Sequence, residues 1–310
     1  MNTGQPSFLK IIRAPFLTSI ISPLIIGTLI VCSITSRFEI LNFVVVFIMG
    51  VCLHVATNVY NDIYDTLQGT DKVNIHRNEF SGGSGVIVDQ PELLPAMFKI
   101  ARYSLIIAFI ACVVLFLRVN EGIRIYIIFL YVLSAFFSKY YTAAPVKLAY
   151  RGWGEISVWF AFGPMAILIA AVSQNVGFHP AVVVAMPITG ISTLSILLIG
   201  QMIDLDADRE TGKWGVAVRC GNTTTVWIYI IVQLVLCTNI VLLTISYLKH
   251  GWPVLVCLLP YVFLLPRIIS ILLHNTNNTE NLKTAARLNV LLHLMFSFLC
   301  ISGLAFMFIG

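Results

Sequence analysis

Apolar runs of about twenty residues recur from one end of this chain to the other, and runs of that length admit few folds. As helices at 1.5 Å per residue they cross the roughly 30 Å of hydrocarbon in a bilayer, where backbone polar groups must be satisfied within the segment. Hydrophobic residues make up 58% of the 310 positions and charged residues 11%, against roughly a quarter charged in a soluble domain. The chain therefore reads as an all-α, polytopic membrane protein, a single domain over 1–310. Nine spans are expected, at 15–34, 40–60, 97–117, 123–140, 156–173, 181–203, 224–248, 253–273 and 287–309. Pro164, Pro187, Pro260 and Pro266 fall inside spans, where neighbouring helices can re-satisfy the freed backbone groups. The last two weaken the eighth span and leave eight crossings as the alternative. Lys10 and Arg13 precede the first span without an A-x-A-like site after it, so no cleavable signal peptide is expected.

Charge gives the orientation. Of the 19 Lys and Arg, only Arg37, Arg118, Arg124 and Lys249 fall on one side of this topology, and the other 15 share the side of the N-terminus. By the positive-inside rule that side is cytoplasmic. The acids do not obey that rule, yet of fourteen only Glu39 and Glu121 lie on the outer side. Connections that collect both signs look like a working face. The net charge of +5 follows from the basic excess beside an anionic leaflet and calls for no nucleic-acid partner. Six of the seven cysteines lie in spans and Cys220 in a connection, with no C-x-x-C pair, so they read as buried structural thiols rather than a zinc or redox site.

Three polar stretches mark the cytoplasmic side. In "NVYNDIYDTLQGTD", Asn58, Asp62 and Asp65 share one helical face with Asn61 beside them, and Gly69 permits a turn before Asp71. In "DLDADRETGK", Asp204 and Asp208 are one turn apart and Asp206 points away. The third, "YYTAAPVKLAYRGWGE", is rich in Tyr, Lys and Arg. Two carboxylate clusters at the ends of different helices suit a hard cation. Mg2+ takes one or two carboxylates and leaves the rest of its octahedron to water and substrate phosphates, which makes a diphosphate the expected cargo. Arg77, Arg209 and Lys213 supply donors for its outer oxygens. "GGSG" at 82–85 reads as a flexible loop able to fold over that group, and His54 and His293 read as residues hydrogen-bonded within the bundle.

Taken in order, "NDIYDTLQGTD", "YTAAPVKLAYRGWGE" and "DLDADRETGKWGVAVRCG" resemble the signature stretches of the UbiA superfamily of intramembrane prenyltransferases. The branch that prenylates 1,4-dihydroxy-2-naphthoate in menaquinone biosynthesis is the most similar. The resemblance implies about nine transmembrane helices in a bundle around a central cavity, capped by the cytoplasmic loops. It implies Mg2+ as cofactor, with Asn61, Asp62, Asp65, Asp204 and Asp208 as the metal-diphosphate residues. A polyprenyl diphosphate and an aromatic acceptor are then the partners, within the lipid bilayer. Asp62, Asp65, Asp204, Asp208 and Tyr141 would carry the catalysis, and Asn58, Asp71, Arg77, Lys147, Arg151, Arg209 and Lys213 would bind substrate. Asp71 matches the later acid of the naphthoate branch, whereas a 4-hydroxybenzoate enzyme would carry an acid where this chain has Gly69. Ala144–Pro145–Val146–Lys147 departs from the Gly-Pro usual at that place in naphthoate enzymes.

Other readings of the same residues remain open at this point. A related enzyme with another acceptor, or a terpene cyclase of the same superfamily, would share the acidic motifs. A divalent-cation transporter is the alternative of a different class, but its ionisable groups belong near the bilayer midplane.

Overall fold

The computed structural model of the chain describes residues 5–78, 81–276 and 278–309, and no strand occurs among them. Nine long helices run in chain order among the described residues. They are α1 Ala14–Thr35, α2 Ile40–Gln68, α3 Pro91–Arg118, α4 Arg124–Tyr140, α5 Gly154–Ser173, α6 Pro180–Ile203, α7 Val216–Tyr247, α8 Trp252–His274 and α9 Thr279–Phe308. All but α4 are long and apolar enough to cross a membrane by themselves. With 17 residues, α4 spans about 25 Å. The helix at the margin is thus the fourth, not the proline-bearing eighth.

The prolines explain themselves locally. In α8 the chain breaks into a 3₁₀ stretch Trp252–Leu258 and two α-helical pieces, Leu259–Phe263 and Leu265–His274. Each piece carries its proline in the first turn, where a missing N–H costs nothing. In α5, Pro164 lies in a π-helical stretch, Ala161–Met165, a local widening that recurs at functional sites. The Thr189 hydroxyl of α6 donates to the Phe162 carbonyl at 2.8 Å, so the neighbouring helix satisfies what the distortion exposes.

The bundle is centred on α1, α5 and α6, whose apolar windows are each 61% buried, against 28–44% in the other spans. Around them α2 packs along α3, α6 along α7, and α9 against both α1 and α8. The crossing of α5 and α6 is set by two glycines. A Cβ on Gly163 would stand 2.5 Å from the Met186 carbonyl oxygen, and one on Gly190 would collide with the Trp159 carbonyl oxygen. Small residues that let backbones touch are how helices associate in lipid, where no hydrophobic force separates helix from solvent. One residue before Gly163, Phe162 of α5 packs on His54 of α2, ring centroids 4.8 Å apart.

Gly190→Val should lower the thermal midpoint of the purified protein, since overpacking costs about 1–3 kcal/mol when backbones must part. Gly177→Ala is the control and should leave the midpoint unchanged, because nothing lies within 4 Å of its added Cβ. Orientation has its own test in a cysteine-free background. An impermeant external thiol reagent should label Arg37→Cys and Glu121→Cys and spare Lys72→Cys and Arg209→Cys, all four positions being exposed. The reverse pattern would invert the topology.

Candidate active site

The first acidic stretch closes α2. Gly69 stops the helix in the left-handed conformation (φ +96°), which a side chain would resist. The turn Thr70–Val73 then folds Asp71 back until only 2% of it is exposed, within 3.3 Å of the Thr66 hydroxyl. One turn before the helix end, Asp65 is equally buried. It accepts from Tyr150 Oη at 2.7 Å, Lys213 Nζ at 2.9 Å and Asn61 Nδ2 at 3.1 Å.

Lys213 reaches Asp65 because of how the second acidic stretch ends. Asp204 follows α6, and the short helix Leu205–Glu210 carries Asp208 inward, buried, while Asp206 is exposed. Past Thr211 the chain turns through Gly212 (φ +71°), with Lys213 N–H donating to the Asp208 carbonyl at 2.8 Å and Gly212 N–H to that of Arg209 at 3.4 Å. This is a Schellman turn, and it swings the residue after the glycine back over the helix.

The third stretch supplies a positioning frame. Ala149 N–H donates to the Tyr141 carbonyl at 2.8 Å, and a 3₁₀ turn over Leu148–Arg151 buries Tyr150. Its hydroxyl contacts Thr70 Oγ1 at 2.7 Å as well as Asp65. Glu155, at the start of α5, accepts from Gln201 Nε2 at 2.7 Å, Val216 N–H at 2.8 Å and Arg219 at 3.2 Å. It thus holds the start of α7 to the ends of α5 and α6.

The glycine loop folds over both motifs. Gly82 N–H donates to Asp204 at 3.1 Å and Ser84 N–H to both oxygens of Asp62 at 3.2 Å. Gly82, Gly83 and Gly85 all have positive φ, and a Cβ on Gly83 would stand 2.5 Å from an Asp71 carboxylate oxygen. Asp204 also accepts from Asn74 at 2.8 Å.

Beneath the loop lies a cavity of about 1110 Å³, its open mouth included. Asn58, Asn61, Asp65, Asp71, Tyr141, Asp204, Asp208 and Lys213 are on its wall. Asp62 is not: it sits behind the loop, 1% exposed, beside Arg13 at 3.7 Å. The remaining basic residues are elsewhere. Arg77 lies against Gly85 and 3.9 Å from Asp89, Lys147 stacks 5.4 Å over the Tyr150 ring, and Arg151 and Arg209 are exposed. Residues that sequence reasoning left out stand on the wall as well. Arg13 reads from sequence as a topological marker, yet its side chain is 84% buried there. His54, expected to be satisfied within the bundle, faces the cavity. His293 is hydrogen-bonded to Ser192 at 2.8 Å as expected.

Among the described residues no group of three His, Cys, Asp or Glu could hold a metal ion by itself. Around the acidic end of the wall the ligands on offer are the oxygens of Asn61, Asp65, Asp71, Asp204 and Asp208, which fits a hard cation. Electrostatics agree. Burial, then repulsion from Asp65 and Asp62, pushes Asp71 up to about 8. Burial pushes Asp208 up to about 7 against the pull of Lys213, and burial also raises Asp204. For Lys213 burial opposes the charge, but Asp65 and Asp208 outweigh it and hold the ammonium well above its usual range. The cluster carries more acid than its cations neutralise.

The UbiA prenyltransferase family model matches residues 20–291. A 2-carboxy-1,4-naphthoquinone phytyltransferase of Synechocystis sp. is 24% identical over 215 residues, covering 69% of this chain and 66%, just under two thirds, of that protein. A 1,4-dihydroxy-2-naphthoate octaprenyltransferase of Escherichia coli is 25% identical over 221 residues, covering 70% of this chain and 69% of its own length. The solved structure of a UbiA homolog from Archaeoglobus fulgidus bound to DMAPP and Mg2+ superposes with a TM-score of 0.56 at 12% identity. That match covers 96% of this chain and 99% of the other, a likeness of fold.

Raised acids give a pH dependence of definite sign. Between the ordinary carboxylate pKa of 3.8 and about 8 for Asp71, the folded metal-free protein binds protons that the unfolded chain does not, so stability falls as pH rises through that window. The thermal midpoint in EDTA should therefore drop from pH 6 to pH 9. Added Mg2+ should raise it more at pH 9, where protons no longer compete for the ligands. A midpoint that rises with pH in EDTA would contradict the assignment.

Proposed function

The chain belongs to the UbiA prenyltransferase family, and we propose that it transfers a polyprenyl group from its diphosphate to 1,4-dihydroxy-2-naphthoate. On this reading it is an integral membrane enzyme whose polar loops face the cytoplasm. The observation that carries the proposal is the meeting of two spaces. The polar cavity adjoins an apolar chamber of about 710 Å³, its open mouth included, between α1, α2, α4 and α5, and His54, Thr57, Tyr141, Val158 and Phe162 line both. A headgroup dense in negative charge joined to a long hydrocarbon tail has that shape and that division of polarity.

Mg2+ held by Asn61, Asp65, Asp204 and Asp208, with Asp62 behind them, would neutralise charge on the departing diphosphate. Lys213, kept protonated by its acidic neighbours, donates to the diphosphate oxygens from the cavity wall, and Arg13 offers its planar fork from the α1 side. Asp65 and Tyr150 orient Lys213, which lies 5.7 Å over the Tyr150 ring. As the allylic C–O bond breaks, its electron pair leaves with the diphosphate. The face of Tyr141 stabilises the remaining cation, and the apolar chamber keeps water from it. The electron-rich ring attacks at the carbon bearing the carboxylate, and loss of CO2 returns the electron pair to the ring. A fused dihydroxylated ring needs less assistance in that attack than a monohydroxylated benzoate. Asp71, with glycine at position 69, and the Escherichia coli relative favour the same acceptor, and the Synechocystis relative's name carries the corresponding naphthoquinone.

Purified protein with Mg2+, a labelled polyprenyl diphosphate and equal amounts of 1,4-dihydroxy-2-naphthoate and 4-hydroxybenzoate should yield a prenylated naphthalene as the main lipid product. Asp65→Asn should lower turnover by on the order of 100-fold, as expected for loss of several kcal/mol of charge stabilisation. A prenylated benzoate as main product would overturn the acceptor. A free hydrocarbon made without either acid would make the protein a cyclase.

A further inference from the structure

Three residues on the cavity wall carry buried side-chain atoms without a hydrogen-bond partner: His54 Nδ1, Thr193 Oγ1 and Gln201 Oε1. Of the three, only His54 also lines the apolar chamber. It is 6% exposed and packs against the Phe162 ring at 4.8 Å. Eight residues before Asp62 on α2, it lies about 12 Å deeper along the helix axis. His293 also has an unpartnered nitrogen, Nε2, but stands on neither wall. Location is therefore what separates the two histidines.

The tautomer of His54 follows from its neighbours. Asn58, one turn further along α2, is the polar side chain that acts on the ring, and since Nδ1 has no partner it is Nε2 that faces it. The amide nitrogen of Asn58 already donates to the Ile12 carbonyl at 3.0 Å, so its oxygen is the group left to accept from His54 Nε2–H. In the neutral ring the other nitrogen, Nδ1, then holds a lone pair and acts only as an acceptor. The backbone just before α1 thus fixes, through Asn58, an acceptor at the meeting of the polar and apolar spaces. A ligand that satisfies it must bring a donor there on an otherwise apolar, flat body. A polyprenyl tail has no donor, and a diphosphate belongs at the acidic end. A phenolic hydroxyl fits.

We propose that His54 Nδ1 accepts a hydrogen bond from a ring hydroxyl of the aromatic acceptor and so sets where that ring lies relative to the prenyl carbon. The inference rests on the prenyl-transfer reading. It assigns to His54 a direct substrate contact that neither the acidic motifs nor the basic residues supply.

The test is direct binding to the full-length purified protein. The probes are 1,4-dihydroxy-2-naphthoate, 2-naphthoate and, separately, the polyprenyl diphosphate with Mg2+. His54→Leu should weaken dihydroxynaphthoate by about ten- to a hundred-fold, the worth of one buried hydrogen bond, while 2-naphthoate and the diphosphate stay within about two-fold. His54→Gln, which retains a side-chain acceptor, should recover part of the loss. Unchanged dihydroxynaphthoate binding in His54→Leu overturns the proposal, and so does equal weakening of all three ligands with a fall in thermal midpoint. A wild-type protein that shows the hydroxyl-dependent difference but transfers no prenyl group would overturn the transfer reading and leave the His54 contact standing. One that binds no aromatic acid at all overturns both.

Discussion

A carboxylate buried at the end of an apolar helix must be answered by positive charge, and the pair Asp65–Lys213, 2.9 Å apart, is where this protein meets that demand. The two residues are 148 positions apart in sequence, so the contact joins the end of α2 to the turn after α6. Such a pair adds little net stability by itself, because desolvating both charges offsets their attraction. Removing one partner is costly, since it strands the other in a low dielectric. The features that deliver the two groups are therefore the ones the site depends on. They are the glycine stop at Gly69, the Schellman turn at Gly212, the Tyr150 hydroxyl that shares Asp65, and the Glu155 staple at the start of α7.

The glycine loop answers the remaining acids in another way. Asp62 and Asp204 accept from backbone N–H groups of Ser84 and Gly82, which carry fixed partial positive charge but no side-chain entropy. Successive amides aimed into a concavity bind anions, and here the anions are the protein's own. The same loop presses on Asp71 and Arg77, so the two acidic motifs and the basic connection between them are read by one short segment.

What was legible in the sequence follows from which signals are local. Hydropathy placed five of the nine helices to within two residues at each end, because the hydrocarbon thickness is imposed from outside the chain, whereas α2, α3, α7 and α9 run six to eight residues further at one end, into the polar stretches. The acids at 62, 65, 204 and 208 stood out because charge beside twenty apolar residues has few structural excuses. Contacts made by long-range folding left no such mark. Tyr150 and Glu155 lay inside a stretch already singled out, but nothing in their spacing says that one reaches Asp65 and the other Val216. Arg13 looked like a topological signal because a cation before a first span ordinarily is one. Arg151 and Arg209 show the converse: basic residues next to a motif need not face it. His54 is answered by a neighbour, Asn58, as a histidine within an apolar run usually is, and only the cavity reveals that its other nitrogen is orphaned. The marginal span fell on α4 rather than α8 because proline in a first helical turn does no harm.

The short helix α4 has a consequence for the surrounding lipid. Its 17 residues cover about 25 Å, roughly 5 Å less than the hydrocarbon of an average bilayer. Its flanking helices are longer, so the mismatch is confined to one sector of the perimeter. Lipid there must thin or tilt, at a fraction of a kcal/mol per Å. Ser134, Phe137 and Ser138 of α4 wall the apolar chamber, which places the deformed annulus directly outside it. A thicker membrane would therefore bear hardest on the sector of the perimeter beside that chamber.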